Sequence, residues 1–227
     1  MHASSPRAIL FDFDGTLLDS FDDIVDAANA TLEAVGRAAL PPAQVRSFIG
    51  DGLPSLVAQC LDATGGGGDD PARVERFTDQ FKPHYAAHWL DRSGLYAGVE
   101  ELLSVLREHH IPLALVSNKP EAACHGLVAA LSLEGRFDVV AGGDTYPERK
   151  PEAGPVTRTL ARLDVPPEDA VMVGDGTQDI RAGAAAGART VGVTWGLNDA
   201  ATLQAAGADA VVDTFEALAE ALGVQLS

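Results

Sequence analysis

Six short runs of almost unbroken apolar residues, separated by stretches of helical periodicity, constrain this chain more than any other feature. They are Ala8–Phe13 ("AILFDF"), Ile111–Asn118 ("IPLALVSN"), Phe137–Gly143 ("FDVVAGG"), Ala170–Asp175 ("AVMVGD"), Arg189–Trp195 ("RTVGVTW") and Ala208–Asp213 ("ADAVVD"). Short runs that do not alternate with polar residues read as strands buried on both faces. Between them, Val99–Glu108, Ala122–Leu131, Pro155–Leu163 and Asp179–Ala186 read as helices. Strands alternating with helices predict right-handed crossovers and an α/β fold, a parallel sheet with helices on both faces.

Residues 20–91 break this rhythm. Phe21–Val35, Pro42–Ile49, Pro54–Leu61 and Pro71–Leu90 all read as helical, with the loop "GGGGDD" (Gly65–Asp70) between the last two. That loop is too short to link independent domains. The expected organisation is a catalytic core of residues 1–19 and 92–227, with a mostly helical subdomain of residues 20–91 inserted after the first strand.

The first run carries an anomaly. In "ILFDFDGTLLD" (Ile9–Asp19), Asp12 and Asp14 interrupt a strand that otherwise suits an apolar core. Side chains two apart on a strand share a side, so two carboxylates are expected together at its end. Burying them is costly unless something balances the charge. Other polar residues gather at the ends of the later strands: Ser117, Asn118 and Lys119 after the second, Lys150 after the third, Asp175 and Asp179 after the fourth. Ligands of open parallel sheets bind beyond the carboxyl ends of the strands, so these residues are expected to converge on one crevice.

Residue types point to the chemistry. Asp12, Asp14 and Asp175 are hard oxygen donors suited to Mg²⁺, and that cation would balance the buried charge. Lys150 and the hydroxyls of Thr16 and Ser117 suit phosphate oxygens, helped by backbone N–H groups at helix N-termini. A carboxylate beside a metal-bound phosphate is a competent nucleophile. A second carboxylate two residues on suits general acid/base work.

The balance of charge excludes some functions. With 16 basic and 33 acidic residues, the net charge of -17 repels nucleic acid and anionic membranes. Two cysteines, Cys60 and Cys124, give no disulfide framework. The N-terminal stretch has no signal-peptide pattern, and no apolar run approaches the ~20 residues that span a bilayer. A cytoplasmic location is expected.

"DFDGT" (Asp12–Thr16), "VSN" (Val116–Asn118), "KP" (Lys150–Pro151) and "GDGTQD" (Gly174–Asp179) resemble the four ordered motifs of the haloacid dehalogenase superfamily. The resemblance implies a Rossmann-like core, Mg²⁺ dependence and an aspartyl-phosphate intermediate. It implies Asp12 as nucleophile and Asp14 as general acid/base. It places Thr16, Ser117, Asn118 and Lys150 on the phosphate. It places Asp12, the Asp14 carbonyl and Asp175 on the metal, with Asp179 in support. The second Asp points to phosphate rather than dehalogenase chemistry. The helical insert is similar to the cap of the phosphoglycolate phosphatase and β-phosphoglucomutase branch. "FIGDGLPSLV" (Phe48–Val57), "LVSNKPEA" (Leu115–Ala122), "GGDTYPERKP" (Gly142–Pro151) and "WGLND" (Trp195–Asp199) resemble its phosphoglycolate phosphatases. Gly176 stands where that pattern often has Ser or Thr, and Ala153 where it often has Pro.

The expected activity is hydrolysis of a small phosphorylated metabolite, with 2-phosphoglycolate the leading candidate. A phosphomutase, a pyrophosphatase and a non-catalytic binding protein on the same fold are the alternatives. Either a monomer or a homodimer fits. Arg46 and Asp51 are candidate cap residues for specificity, since the glycines of "GDG" allow close approach to a ligand. His84, His88 and Trp89 read as packing residues, and His109 and His110 as helix-end cations.

Overall fold

The computed structural model describes residues 6–226, and the chain divides into two compact units. One takes in the chain up to Leu18 and from Leu95 onward; the other is Asp19–Gly94. The helical unit is thus a few residues wider than the 20–91 read from the sequence.

β1 (Ala8–Phe11) opens the first unit, and β2 (Leu18–Asp19) leads out of it. The helical unit holds α1 (Phe21–Ala34), α2 (Pro42–Arg46), α3 (Leu53–Ala63) and α4 (Pro71–His88). Their inner faces share a core that includes Ile24, Leu32, Val57, Phe77 and Phe81. α4 starts cleanly because Asp70 accepts hydrogen bonds from the N–H groups of Ala72 and Arg73 and Pro71 follows it. α2 ends at Arg46, short of Ile49.

After β3 (Gly94–Leu95) come α5 (Val99–Glu108), β4 (Leu113–Val116), α6 (Glu121–Ala130), β5 (Val139–Ala141), α7 (Gly154–Leu163), β6 (Ala170–Gly174), α8 (Thr177–Ala186), β7 (Arg189–Val193), α9 (Ala200–Ala205), β8 (Ala210–Val212) and α10 (Phe215–Ala221). Among the described residues, six of these strands form one sheet in the order β5-β4-β1-β6-β7-β8. Every neighbouring pair is parallel. The α/β architecture expected from the apolar runs is therefore the observed one.

The strands lack a polar face because both faces are covered. Ala8 and Leu10 join a cluster with Val156 and Leu160 of α7 and Ala182 of α8. Ile9 and Phe11 alternate to the opposite face and are equally inaccessible, at 0% exposure. The Ala/Gly richness of α8 has a packing cause: a Cβ on Gly183 would meet Thr190 Cγ2 at 2.6 Å. No helix among the described residues is long and apolar enough to cross a membrane.

The first strand is shorter than the sequence predicts. It ends at Phe11, not Phe13. The Phe13 carbonyl accepts the N–H groups of Thr16, Leu17 and Leu18 at 3.2, 3.0 and 3.0 Å, curling the chain into a turn. Gly15 supplies the positive φ of 82° that the turn requires.

Candidate active site

The chain switches direction of travel across the sheet at β1. β4 and β5 lie on one side of it, and β6, β7 and β8 on the other. Such a switch opens a crevice at the carboxyl ends of the strands. Asp12 is the first residue after β1, Ser117 the first after β4, and Asp175 the first after β6. Register fixes them side by side, because Phe11 pairs with Leu115 on one flank and Val173 on the other.

Three carboxylates meet there. Oxygens of Asp12, Asp175 and Asp179 lie within 4.8 Å of one another, and all three residues are buried. α8 contributes Asp179 from its first turn, where one carboxylate oxygen accepts the Gly176 N–H at 2.9 Å. Asp175 Oδ2 accepts the Leu197 N–H at 2.8 Å and its Oδ1 accepts the Thr16 hydroxyl at 3.0 Å. Among the described residues, one cation pairs with this cluster. Lys150 Nζ lies 2.9 Å from Asp12 Oδ1 and 2.6 Å from Asp179 Oδ1, and donates to the Val116 carbonyl at 2.6 Å.

The electrostatics follow from burial. Desolvation, then the charges of Asp12 and Asp179, raise the Asp175 carboxyl well above the usual range. Desolvation and Asp12 push Asp179 up to about 7, against the pull of Lys150. Burial acts to lower the Lys150 ammonium, but Asp12 and Asp179 outweigh it and hold it above the ordinary lysine value. The Lys150 contact with Asp179 is close but poorly aligned. Asp179 Oδ1 is fully buried yet has no donor in hydrogen-bond geometry.

Asp14 takes a different course. It lies in the turn after Phe11 and is not a member of the Asp12, Asp175 and Asp179 cluster. Instead Lys119 Nζ donates to both Asp14 oxygens, each at 2.9 Å. Two lysines thus divide the two motif carboxylates between them. Sequence reasoning noted Lys119 among the polar residues at strand ends but gave it no role. The signal was its place directly after "VSN".

The other expected phosphate residues turn out to have protein partners. The Asn118 side chain clamps the Lys150 main chain: Nδ2 donates to the Lys150 carbonyl at 2.9 Å, and Oδ1 accepts the Lys150 N–H at 3.1 Å. The Thr16 hydroxyl proton goes to Asp175, and its oxygen accepts the Asp175 N–H at 3.1 Å. Ser117 Oγ accepts the Lys119 N–H at 3.4 Å. Sequence reasoning also missed the loop after β7, where Leu197 holds the Asp175 side chain and Asn198 Nδ2 donates to the Asp175 carbonyl at 2.9 Å. Both lie in "WGLND", which was quoted only as a likeness.

Arg46 and Asp51 belong to the helical unit. There the Arg46 guanidinium sits 4.6 Å over the Phe21 ring and 3.8 Å from Asp22. Asp51 is exposed between Gly50 and Gly52, whose φ values are 128° and 86°. The His84 and His88 rings lie 4.8 Å apart and tilted by 38°, and Trp89 packs edge-on to Tyr85. Cys60 and Cys124 are both buried; burial pushes the Cys60 thiol up to about 11 and the Cys124 thiol higher.

The donor set suits a hard divalent cation. Asp12, Asp175 and Asp179 offer oxygens only, as Mg²⁺ prefers. The cluster holds more negative charge than one lysine balances, and Asp179 Oδ1 is a buried acceptor lacking an aligned donor. Both observations fit a cation among these carboxylates.

Residues 9–193 match the Haloacid dehalogenase-like hydrolase family. A phosphoglycolate phosphatase of Chromobacterium violaceum is 37% identical over 218 residues, spanning 96% of this chain and 97% of that protein. The crystal structure of a predicted phosphoglycolate phosphatase from Haemophilus somnus superimposes with a TM-score of 0.89 at 28% identity, covering 96% of this chain and 98% of that one. CbbY from Rhodobacter sphaeroides, solved in complex with phosphate, gives 0.79 at 26% identity, covering 92% of this chain and 95% of that one.

Proposed function

The chain belongs to the haloacid dehalogenase-like hydrolase family, and from that premise we propose that it is a Mg²⁺-dependent phosphoric monoester hydrolase working through an aspartyl-phosphate on Asp12. One observation carries the reading. Three buried carboxylates and a buried lysine converge at the carboxyl ends of adjacent parallel strands, with a fourth carboxylate held separately by its own lysine. A binding site for an anion needs cations; it does not need this excess of carboxylate.

Asp12, Asp175 and Asp179 would hold Mg²⁺ by their side chains, with the Asp14 carbonyl as a further oxygen. When bound, the cation neutralises charge on the phosphate and on the carboxylates around it. Every other part of the work falls to the chain. Both protein contacts of the Asp12 side chain, from the Phe13 N–H and Lys150, fall on Oδ1. That leaves Oδ2 to attack phosphorus in line with the leaving oxygen. Lys150 fixes the nucleophile and offers its ammonium to the phosphate oxygens, and the Ser117 hydroxyl can donate to another. Asp14 enters the step carrying a proton on one oxygen, the other still accepting from Lys119, and passes that proton to the leaving oxygen as the P–O bond breaks. The alcohol departs, and Asp14 then takes a proton from a water that attacks the aspartyl-phosphate. Inorganic phosphate is released, and Asp12 and Asp14 return to their starting states.

Asn118 and Thr16 act through others in this scheme. Asn118 sets the Lys150 main chain, and Thr16 sets Asp175. Asn118→Ala leaves a buried peptide group of Lys150 without partners. It is expected to cost about 2 kcal/mol in thermal unfolding. Displacing the lysine should lower kcat by about 10- to 100-fold. A fall in KM affinity alone, with kcat unchanged, would instead place Asn118 on the substrate.

The substrate is proposed from likeness: relatives called phosphoglycolate phosphatase span nearly the whole chain. Phosphate release from a panel of phosphorylated metabolites, with Mg²⁺ and with EDTA, tests this. Preference for 2-phosphoglycolate, lost in EDTA, is the expected result. Broad metal-dependent release would keep the phosphatase and discard the substrate. Release unaffected by EDTA would overturn the metal reading.

A further inference from the structure

We infer that Lys119 is a positioning residue for the proton-transfer step, setting the Asp14 carboxylate toward the leaving-group oxygen while Lys150 serves the nucleophile. This rests on the phosphatase reading above.

Lys119 is built into the core unit in a way that a chance surface lysine is not. Its side chain is 5% exposed, and its ammonium grips Asp14 through both oxygens at equal distance. Charge-assisted contacts to both oxygens tie the carboxylate to the ammonium more strongly than a single neutral hydrogen bond would. The lysine main chain is held at several points. Its N–H donates to Ser117 Oγ, and its carbonyl accepts the Gly143 N–H at 2.8 Å and faces Cys124 Sγ at 3.7 Å. A Cβ on Gly142 would lie 2.7 Å from that same carbonyl, so the loop after β5 closes tightly over it. The main chain from which this buried side chain leaves is therefore fixed, and its ammonium ends on Asp14. Asp14 needs such support more than Asp12 does. Both lie beyond β1, but Asp12 still donates its N–H to the Val173 carbonyl of the neighbouring strand at 2.9 Å, whereas Asp14 sits in the turn, bridged locally to Leu18.

The two lysines divide the labour. Lys150 contacts Asp12 and Asp179 of the carboxylate cluster, and Asp14 is not a member of that cluster. Lys119 holds the carboxylate that must hand a proton to the leaving oxygen. Its loss should matter most when the leaving group is a poor one.

The test compares kcat/KM, which reads the steps up to departure of the leaving group, for two substrates. An alkyl phosphate such as 2-phosphoglycolate, or whichever alkyl ester the panel favours, releases an alkoxide unless it is protonated. p-Nitrophenyl phosphate releases a stable phenolate that needs no proton. Lys119→Met is expected to lower kcat/KM by about 10- to 100-fold for the alkyl ester, and by no more than about 2-fold for the aryl ester. Lys119→Gln, which keeps an amide NH₂ donor but not the charge, should fall between Lys119→Met and the parent on the alkyl ester. It decides the matter alone if Lys119→Met does not fold. Asp14→Asn is the reference and should discriminate in the same direction, by about 10²- to 10⁴-fold. An equal loss on both esters in a folded Lys119 variant, with Asp14→Asn still discriminating, would overturn the positioning role and leave the phosphatase reading standing. If Asp14→Asn does not discriminate, the acid/base reading of Asp14 fails, and this inference with it.

Discussion

Lys150→Met is expected to cost about 3–5 kcal/mol of folding stability and to abolish turnover. Removing one partner from a buried ion pair leaves the other charge uncompensated, and costs of that size follow. Here the partner is not one carboxylate but a cluster. Asp12 and Asp179 lose the one lysine that pairs with them among the described residues, and Asp175 stands within 4.8 Å of both. Burial already raises Asp175 well above the usual range and Asp179 to about 7 with Lys150 in place. For a chain of this size, the melting temperature should fall by on the order of 10 °C. Added Mg²⁺ should restore part of the loss, since a cation bound to the folded cluster stabilises it by mass action. Thermal unfolding of parent and variant, with and without Mg²⁺, reads both effects. A variant within about 1 kcal/mol of the parent would mean that the cluster does not depend on the lysine for its charge balance.

Asp12→Asn is expected to remove turnover without removing the fold. Loss of a nucleophile of this kind costs about 10⁴-fold or more in kcat. The effect on stability should be small, because two contributions oppose. Lys150 gives up one carboxylate partner but keeps Asp179 at 2.6 Å. Asp175 and Asp179 are relieved of the Asp12 charge that helps to push both upward. Asn also keeps a side-chain oxygen for the Phe13 N–H, which meets Asp12 Oδ1 at 2.7 Å. A large loss of stability alongside the loss of kcat would show that Asp12 is needed for folding, and the kinetic effect would then say little about nucleophilicity.

The contrast between these two variants reflects what could be read in the sequence. The sheet was legible because strands covered on both faces have no polar alternation to hide them. Asp12 and Asp175 were legible because each directly follows a strand, and adjacent parallel strands bring their ends together; Lys150, after a loop beyond β5, and Asp179, in the first turn of α8, were legible through the motifs that carry them. What stayed hidden was pairing. Nothing in "DFDGT" says that the chain turns after Phe11, sending Asp14 to Lys119 while Asp12 stays with Lys150. Thr16 was read as a phosphate ligand from its hydroxyl, and Asn118 only from the family resemblance. Their side chains hold Asp175 and Lys150, because a short amide or hydroxyl beside a buried charged residue finds a partner within the protein. Leu197 was invisible for a simpler reason. It acts through its backbone N–H, and a backbone donor leaves no mark on residue identity.

Those hidden partners also explain why the site tolerates its own charge. Asp175 is held by a hydroxyl and a backbone amide, Asp179 by the N-cap amide of α8, and Asp12 by its neighbour's amide and a lysine. Each donor favours the ionised carboxylate and offsets part of the desolvation cost. The remainder is what a bound cation would neutralise.

Rapid-quench analysis of the parent enzyme with a radiolabelled phosphate ester and Mg²⁺ tests the account's central claim most directly. The acid-quenched protein is digested, and the labelled peptide is sequenced. The account predicts transient label on the peptide bearing Asp12, formed before phosphate is released and absent from Asp12→Asn. Phosphate release in the first turnover with no label on that peptide at any time would contradict it.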